Sequence, residues 1–310
     1  MQPPRQRSRR RILIFMATLI GIAVLFLYAV VARIGYEAVS AASSSGLSGT
    51  PTGAYQDVTF SSRGQNYVVH AFFLPGNVSA PALISVHGYR NTRHSEYQLN
   101  RAADLRTLGY NILSIDLSDN GGDTIGNNRI SMGYSERWDV LGAYDYLIMK
   151  GFSPDRIGLV GESMGASSIL LAAALEPRIR AIWADSGYTR ADVILSEQAQ
   201  KNRVPAMIVP GALLLGVVLS GDRIWEAAPI DAASTLAAHK QAVYLIHDEK
   251  DKTVPFHHGV ELNAAFTAAG VNVTFWDVPD LDHAEAILYR HEEYLQRLDT
   301  FFKANLGKAF

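Results

Sequence analysis

The sequence predicts an α/β domain built on a mostly parallel sheet of eight strands, with helices on both faces, a helical cap insertion and one N-terminal transmembrane helix. Three observations lead to this prediction. From Tyr55 onward, short β-branched runs alternate with longer amphipathic runs. Near the N-terminus, residues 12–32 carry no charge. A glycine–serine–glycine motif lies between a predicted strand and a predicted helix.

Composition excludes several classes of protein. The chain has 310 residues, 48% of them hydrophobic and 19% charged, which is typical of a globular protein. Its 28 basic and 30 acidic side chains give a net charge of −2, so no global field indicates a nucleic-acid partner. The absence of cysteine excludes a disulfide scaffold, a thiolate metal site and a cysteine nucleophile.

The N-terminal segment predicts a membrane anchor. Residues 1–11 form a basic segment, and the 21 residues Ile12–Ala32 form an uncharged run that Arg33 closes. At about 1.5 Å per residue this run spans roughly 30 Å, the hydrocarbon thickness of a bilayer. Basic residues precede the run in excess, which predicts a single-pass protein with a cytoplasmic N-terminus and with the domain that follows outside the cytoplasm. These basic residues are Arg5, Arg7, Arg9, Arg10 and Arg11.

A cleaved signal peptide is the alternative interpretation of this segment. Small residues near Ala38 and Ser40 could form a cleavage site. The apolar run is longer than the 7–15 residues typical of a signal peptide, which favours an uncleaved signal-anchor. Of the residues that follow, 40–53 are small, polar and glycine-rich, which predicts a flexible linker at 33–53 between the apolar run and the domain.

The remainder, residues 54–310, predicts one domain of alternating strands and helices, because eight strands and their helices fill this length. Strands are predicted at Tyr55–Ser61, Tyr67–Leu74, Ala82–Val86, Ile112–Asp116, Ile157–Val160, Ile179–Ala184, Val243–His247 and Val273–Val278. Helices are predicted at Glu96–Leu108, Glu136–Met149, Ser163–Leu175, Phe256–Ala269 and Glu285–Leu306.

One stretch, residues 188–229, interrupts this alternation. It carries no strand pattern, and its segment Val204–Leu219 is almost wholly apolar. We interpret it as a helical insertion packed over the sheet, with a cap that lines an apolar substrate pocket as its functional form. Prolines and glycines interrupt the segment, which argues against a second membrane span.

The strongest local motif is Gly161-Glu162-Ser163-Met164-Gly165, directly between a predicted strand and a predicted helix. Glycines on both sides of the serine allow a sharp, strained turn that lifts the Ser163 hydroxyl clear of the sheet. The same turn places the N–H of Met164 at a helix start, where it can stabilise an oxyanion. A second oxyanion donor is expected after the Ala82–Val86 strand, at the N–H of Tyr89.

A serine nucleophile needs a base and an acid that orients the base. His283 follows the last predicted strand, and Asp251 follows the strand before it. Both residues therefore lie just past the carboxyl end of a strand, where open α/β sheets build their sites. Asp185 also ends a strand and stays an alternative for the acid. His87 and Glu162 flank the site and are expected to have structural roles.

These residues and their order identify a family resemblance. From Ala54 to the C-terminus the chain resembles the α/β-hydrolase superfamily, particularly its prolyl-oligopeptidase-like and serine-aminopeptidase-like branches. The resemblance implies Ser163 as nucleophile, His283 as base and Asp251 as acid, with no metal and no organic cofactor. The matching segments are His87-Gly88, Leu108–Asp116, Asp155–Gly165, Asp251–Pro255 and Asp282-His283.

The resemblance is incomplete in three places. His247 is followed by Asp248, where the family usually has glycine. The loop Asp116–Gly122 lacks the arginine that is usual there, so the pocket rim is expected to differ. His87-Gly88-Tyr89 is not the triple-glycine oxyanion loop of the hormone-sensitive-lipase type, which argues against that branch.

Together these features predict a membrane-anchored serine hydrolase that cleaves carboxylic esters, acyl or lipid-like, through a Ser-Asp-His triad and an acyl-enzyme. The expected partners are a small-molecule ester or acyl substrate and, through the N-terminal helix, a membrane; no nucleic acid is expected. A peptidase or amidase with the same triad stays open, because both reactions pass through one tetrahedral intermediate. A non-catalytic binding protein on this fold and acyl transfer to an acceptor other than water are further alternatives.

Overall fold

A computed structural model describes residues 4–77 and 79–307. The first three residues of the predicted basic segment and the last three of the predicted catalytic domain lie outside the described residues. Within the described ranges, eight strands form one sheet. They are β1 Gln56–Ser61, β2 Val68–Leu74, β3 Ala82–Val86, β4 Asn111–Ile115, β5 Ile157–Glu162, β6 Ala181–Asp185, β7 Ala242–Asp248 and β8 Asn272–Val278.

The strand order is β1-β2-β4-β3-β5-β6-β7-β8, with β2 antiparallel to both neighbours and every other pair parallel. The prediction of an eight-stranded, mostly parallel sheet is therefore confirmed. Register brings the carboxyl ends of the central strands to one edge, since Val86 pairs with Gly161 and Glu162 pairs with Asp185. The sheet delivers its functional loops to that edge.

Helices cover both faces of the sheet. Across the described part of the chain they are α1 Pro4–Val39, α2 Glu96–Thr107, α3 Glu136–Met149, α4 Met164–Leu175, α5 Ala191–Lys201, α6 Val209–Ser220, α7 Ala233–Ala238, α8 His257–Ala269, α9 Ala286–Tyr289 and α10 His291–Asn305. One core cluster contains residues of α3, α4, α7 and α8, and the other contains residues of α2, α9 and α10. The central strands are mostly apolar because both of their faces are buried. Every residue of β3, β4 and β7 is buried, whereas the edge strands β1 and β8 have exposed positions.

The helix α1 is long and apolar enough to cross a membrane over Arg10–Glu37, the one such helix in the described ranges. Its most apolar window is not buried against the protein, and large apolar side chains from Ile12 to Tyr28 are exposed. A soluble domain gains nothing from such a surface, whereas a bilayer would cover it.

The structure corrects the prediction that residues 33–53 form a flexible linker. Helix α1 continues to Val39, and the segment after it follows the domain surface through backbone hydrogen bonds. Ala42 N–H donates to Asp119 O at 2.8 Å, and Ser45 N–H donates to Gly121 O at 3.0 Å. Gly121, on the loop opposite, permits this close approach, because a Cβ there would lie 2.9 Å from Ser43 O.

Two other segments differ from the sequence prediction. The single helix predicted at Glu285–Leu306 is divided into α9 and α10 at Arg290, whose φ of −122° and ψ of 35° are not helical. The apolar segment Val204–Leu219 forms α6, as a helical insertion should, but α6 packs chiefly against α1 and α5 rather than over the sheet. The end of the predicted anchor and the predicted cap are therefore in direct contact.

The packing of α10 on the sheet generates a first prediction. A Cβ on Gly158 of β5 would lie 2.6 Å from a ring carbon of the fully buried Phe302. We expect Gly158→Ala to lower the free energy of unfolding by about 1–3 kcal/mol through overpacking, and Phe302→Leu to relieve part of that cost in the double variant. Chemical denaturation followed by tryptophan fluorescence measures both effects.

Gly21→Ala is the matched control, because nothing lies within 4 Å of a Cβ at Gly21. It should leave the free energy of unfolding unchanged. Strictly additive effects of Gly158→Ala and Phe302→Leu would contradict the contact between them.

Candidate active site

Ser163 occupies the turn between β5 and α4 in a strained backbone conformation, with φ 55° and ψ −123°. Two glycines permit the turn. A Cβ on Gly161 would lie 2.7 Å from the Gly165 backbone, and a Cβ on Gly165 would lie 2.5 Å from His87 O. Only glycine fits where backbone meets backbone so closely, so the motif is required by packing. Positive φ on a non-glycine residue at such a turn is typical of functional sites.

A buried ion pair between Glu162 and Arg101 supports this turn. The carboxylate of Glu162 accepts hydrogen bonds from Gly88 N–H at 2.8 Å and from the Gln98 amide at 2.7 Å, and it pairs with the Arg101 guanidinium. Arg101 is fully buried and also donates to Ser85 Oγ and Val86 O, both at 3.0 Å. Helix α2, strand β3 and the Ser163 turn are thus joined by one charge-assisted network. These contacts give Glu162 the structural role that the sequence analysis expects of it.

His283 and Asp251 lie in direct contact. The Nδ1 atom of His283 is 2.7 Å from Asp251 Oδ2. The other carboxylate oxygen of Asp251 accepts the backbone N–H groups of Thr253 and Val254 at 2.8 and 2.7 Å. Because a carboxylate accepts, His283 donates from Nδ1–H and leaves Nε2 with a free lone pair in the neutral ring. Burial lowers the pKa of His283, but the hydrogen bond and charge of Asp251 outweigh it and leave that pKa raised.

Asp185, the alternative acid, makes other contacts. Its two oxygens accept the hydroxyl groups of Ser186 at 2.9 Å and Tyr294 at 3.2 Å. Burial raises the pKa of Asp185 to about 6. The structure therefore places Asp251, and not Asp185, on the ring of His283.

The end of β6 joins the serine loop to the histidine loop. Ser163 N–H donates to Asp185 O at 2.8 Å, and Ala284 N–H donates to Ser186 Oγ at 3.2 Å. The consecutive residues Asp185 and Ser186 thus hold the backbone of Ser163 and that of the residue after His283. No hydrogen bond joins Ser163 Oγ to His283 within the described ranges; such bonds often form only when substrate is bound.

Asp248 is a positioning residue that the sequence did not reveal. It ends β7, is fully buried, and accepts the backbone N–H of Glu285 at 2.8 Å. Glu285 lies two residues beyond His283, so the bond fixes the histidine loop to the acid-bearing strand. Burial raises the pKa of Asp248 to about 7. The only sequence signal was the departure from the usual glycine at this position.

The two predicted oxyanion donors are the N–H groups of Met164 and Tyr89. Met164 begins α4, and Tyr89 lies in the turn after β3. Neither N–H has a hydrogen-bond acceptor among the residues that the structure describes. Gly88 lies against the serine, since a Cβ there would be 3.2 Å from Ser163 Cβ. Two unpaired N–H groups on either side of a serine can bind a developing oxyanion.

His87 has the structural role expected of it. It is fully buried, its Nε2 accepts Leu117 N–H at 2.9 Å, and its Nδ1 lies 2.8 Å from Gly88 O. The first bond requires an unprotonated Nε2, so Nδ1–H is the donor to Gly88 O. Burial lowers the pKa of His87 and favours this neutral form. The ring thereby fixes the loop that carries Tyr89.

Two groups of three metal-ligand side chains occur in the described part of the chain, and neither includes a predicted site residue. Their members are already paired with protein groups: Glu197 Oε2 is 3.0 Å from His258 Nε2, and Asp123 Oδ2 is 2.7 Å from the Arg93 guanidinium. The groups are Glu197, His257 and His258, and His94, Asp116 and Asp123. The chemistry available at Ser163 uses neither of them.

The buried ion pair generates a second prediction. Arg101→Met leaves the Glu162 carboxylate buried without its cation, so the free energy of unfolding should fall by about 3–5 kcal/mol. Chemical denaturation measures this loss. In the double variant with Glu162→Gln, the neutral amide still accepts from Gly88, and part of the stability should return. A double variant no more stable than Arg101→Met would contradict the charge pairing.

A comparison with known protein families identifies the family of the chain. The sequence profile of the prolyl oligopeptidase family matches residues 105–309, about two thirds of the chain. No curated protein matches the chain in a sequence search.

Solved structures share the fold at low sequence identity. An esterase of Pyrococcus furiosus, Pf2001, is 21% identical with a TM-score of 0.68, over 86% of this chain and 99% of that one. Est1E of Butyrivibrio proteoclasticus, solved with ferulic acid bound, is 18% identical with a TM-score of 0.59, over 80% and 98%. The acylaminoacyl peptidase of Pyrococcus horikoshii is 17% identical with a TM-score of 0.61, over 83% of this chain and 42% of that one.

These likenesses establish the α/β-hydrolase fold, and the profile match adds the family. The strained serine turn and the paired histidine and aspartate lie where hydrolases of this fold carry their reactive groups. The chain is a hydrolase that belongs to the prolyl oligopeptidase family.

Proposed function

We propose that this protein is a membrane-anchored serine hydrolase that cleaves carboxylic esters, with acyl or lipid-like substrates. The observation that carries the proposal is the 2.7 Å hydrogen bond between His283 and Asp251, on a loop fixed to the same strand end as Ser163. In this assignment Ser163 is the nucleophile, His283 the base and Asp251 the acid. Met164 and Tyr89 supply the oxyanion donors.

The reaction proceeds in two steps. His283 Nε2 takes the proton of Ser163 as Oγ attacks the acyl carbon, and the oxyanion accepts from the two N–H groups. The protonated His283 then gives that proton to the leaving alkoxide, which departs as the alcohol. Water, deprotonated by His283, attacks the acyl-enzyme, and His283 returns that proton to Ser163 Oγ as the acid is released. Each oxyanion donor contributes about 3–4 kcal/mol to transition-state binding.

The location of the oxyanion loop supports a membrane-associated ester. The Arg90 guanidinium donates to Tyr89 Oη at 2.8 Å and to Glu37 O, in the last turns of α1, at 3.0 Å. The loop that carries Tyr89 is thus attached to the end of α1, which supports a site close to the membrane surface. The N-terminus would lie in the cytoplasm and the catalytic domain outside, by the excess of arginine before the apolar run.

Peptide or amide hydrolysis is the second candidate. The family description and the acylaminoacyl peptidase of Pyrococcus horikoshii favour it. The Pf2001 esterase favours the ester instead, since it is matched over 99% of its length, whereas the peptidase is matched over 42%.

A fluorophosphonate probe tests the nucleophile. We expect the full chain in detergent to be labelled and Ser163→Ala to be unlabelled, because only a base-activated serine attacks the phosphorus. Ser196 lies on α5, where its hydroxyl donates to the Asp192 carbonyl at 2.6 Å, and Ser196→Ala should label like the wild type. Labelling is read by in-gel fluorescence.

The outcomes separate the candidate functions. Equal labelling of Ser163→Ala and the wild type would contradict Ser163 as nucleophile. A folded wild type without label would support the binding protein. Where Ser163 is labelled, hydrolysis of p-nitrophenyl acyl esters without hydrolysis of aminoacyl p-nitroanilides supports the esterase, and the reverse supports the peptidase.

The pH dependence of kcat/KM tests the acid. Protonated His283 cannot accept the serine proton, and its pKa is raised, so activity should fall with decreasing pH at a midpoint above the ordinary value of about 6.5. Asp251→Asn removes the charge that raises this pKa. The midpoint should then move to lower pH, and the plateau should drop by about 10⁴-fold.

Asp185→Asn is the comparison variant, because Asp185 influences His283 by charge without contacting it. Its midpoint should move in the same direction, with a far smaller loss of plateau rate. A larger loss in Asp185→Asn than in Asp251→Asn would make Asp185 the acid.

A further inference from the structure

Helix α6 and the turn before it expose apolar side chains to solvent. The segment Val204–Leu219 contains no charged residue. Met207 is 84% exposed, Leu214 59% and Val218 69%. Contiguous exposed apolar residues of this kind mark a contact surface, because exposure to water is costly.

The position of α6 indicates what covers this surface, because α6 packs along the end of α1. A Cβ on Gly35 would lie 2.7 Å from Ala212 O, and Gly216 lies against Val39 in the same way, with its Cβ position 3.2 Å from Val39 Cγ1. Small residues at such a crossing let two helix backbones approach closely. The location of α6 relative to the membrane is therefore fixed by α1.

The order of these contacts gives the direction of α6. Val31 is the neighbour of Gly211, and Val39 is the neighbour of Gly216, so the two helices run parallel. The apolar run of α1 ends at Ala32, next to Arg33. The membrane boundary on α1 therefore lies level with Gly211, at the first turn of α6.

The residues before Gly211 continue toward the membrane side. Ile208 N–H donates to Pro205 O at 2.8 Å, and Ala212 N–H donates to Ile208 O at 3.0 Å, so helical turns extend below Gly211. At about 1.5 Å per residue, Met207 lies about 6 Å below the level of Gly211, Leu214 about 5 Å above and Val218 about 10 Å above. The most exposed of the three is thus the one nearest the bilayer.

We propose that the turn at 205–211, together with the first turn of α6, inserts into the lipid leaflet from which α1 emerges. This inference rests on the proposed membrane anchoring. Lipid acyl chains cover Met207, Leu214 lies at the headgroup level, and Val218 lies in water. Exposed Lys201 and Arg203 just before the turn suit the negative charge of lipid phosphates. The cap thus makes a second, shallow contact with the membrane beside the anchor.

Spin labels on single cysteines test the proposal. The chain contains no cysteine, so each introduced thiol is unique. We would place Met207→Cys, Leu214→Cys and Val218→Cys in the full chain, reconstituted in phosphatidylcholine vesicles. Accessibility to oxygen, which concentrates in the bilayer, is compared with accessibility to a water-soluble nickel chelate. Far-UV circular dichroism confirms that each variant is folded.

Two controls bracket the measurement. Leu25→Cys reports the centre of the predicted span, where the side chain is 72% exposed. Leu175→Cys is the control for water. Leu175 is the last residue of α4, far along that helix from Ser163, and its side chain is 46% exposed. The oxygen-to-nickel ratio should fall in the order Leu25, Met207, Leu214, Val218, with Val218 at the value of Leu175.

Every other pattern overturns the proposal. If the oxygen-to-nickel ratios at Met207 and Leu214 equal the ratio at Leu175 while Leu25 is in lipid, the anchor is intact and the cap lies in water. An oxygen-to-nickel ratio at Leu25 equal to that at Leu175 would contradict the membrane anchoring itself. The reverse order along α6 would contradict its direction. Protection of Met207 and Leu214 from both reagents would identify a protein, such as a second copy of the chain, as the cover.

Discussion

The rest of the site depends on the close backbone contact at the Ser163 turn. Gly161 meets Gly165, and Gly165 meets the carbonyl of His87, so β5, α4 and the end of β3 come together without intervening side chains. That contact forces Ser163 into its strained conformation and leaves the N–H of Met164 unpaired at a helix start. Such strain persists only where the surrounding contacts hold it, and the buried network at Glu162 holds the turn in place.

In that network a buried charge holds two loops in position rather than adding stability. An ion pair removed from water gains little stability overall, because desolvation of both charges opposes their attraction. The carboxylate of Glu162, however, accepts from Gly88 and from Gln98 and faces the guanidinium of Arg101. The serine turn and the oxyanion loop are therefore held by one carboxylate. Asp248 holds the histidine loop in the same way, through its hydrogen bond from Glu285 N–H. Such supporting groups keep reactive atoms in register.

The N-terminal segment is continuous with the domain. Helix α1 packs against α6, the segment after it pairs with the 119–129 loop, and Arg90 connects its last turns to the oxyanion loop. In the proposed function, this continuity fixes the orientation of the site relative to the bilayer. A tether would allow the domain to rotate freely, whereas a docked helix presents one face of it to the lipid.

The sequence by itself determined the strands, the serine turn and the chain order of Ser163, Asp251 and His283, because periodicity and glycine spacing are local properties. It also singled out the apolar run Ile12–Ala32, which depends on composition alone. Tertiary structure decided the rest. Whether Asp251 or Asp185 meets His283, what pairs with Glu162, and whether the 33–53 segment is free all depend on residues distant in the chain. Small residues predict freedom and close packing equally well, and only the surface opposite them distinguishes the two.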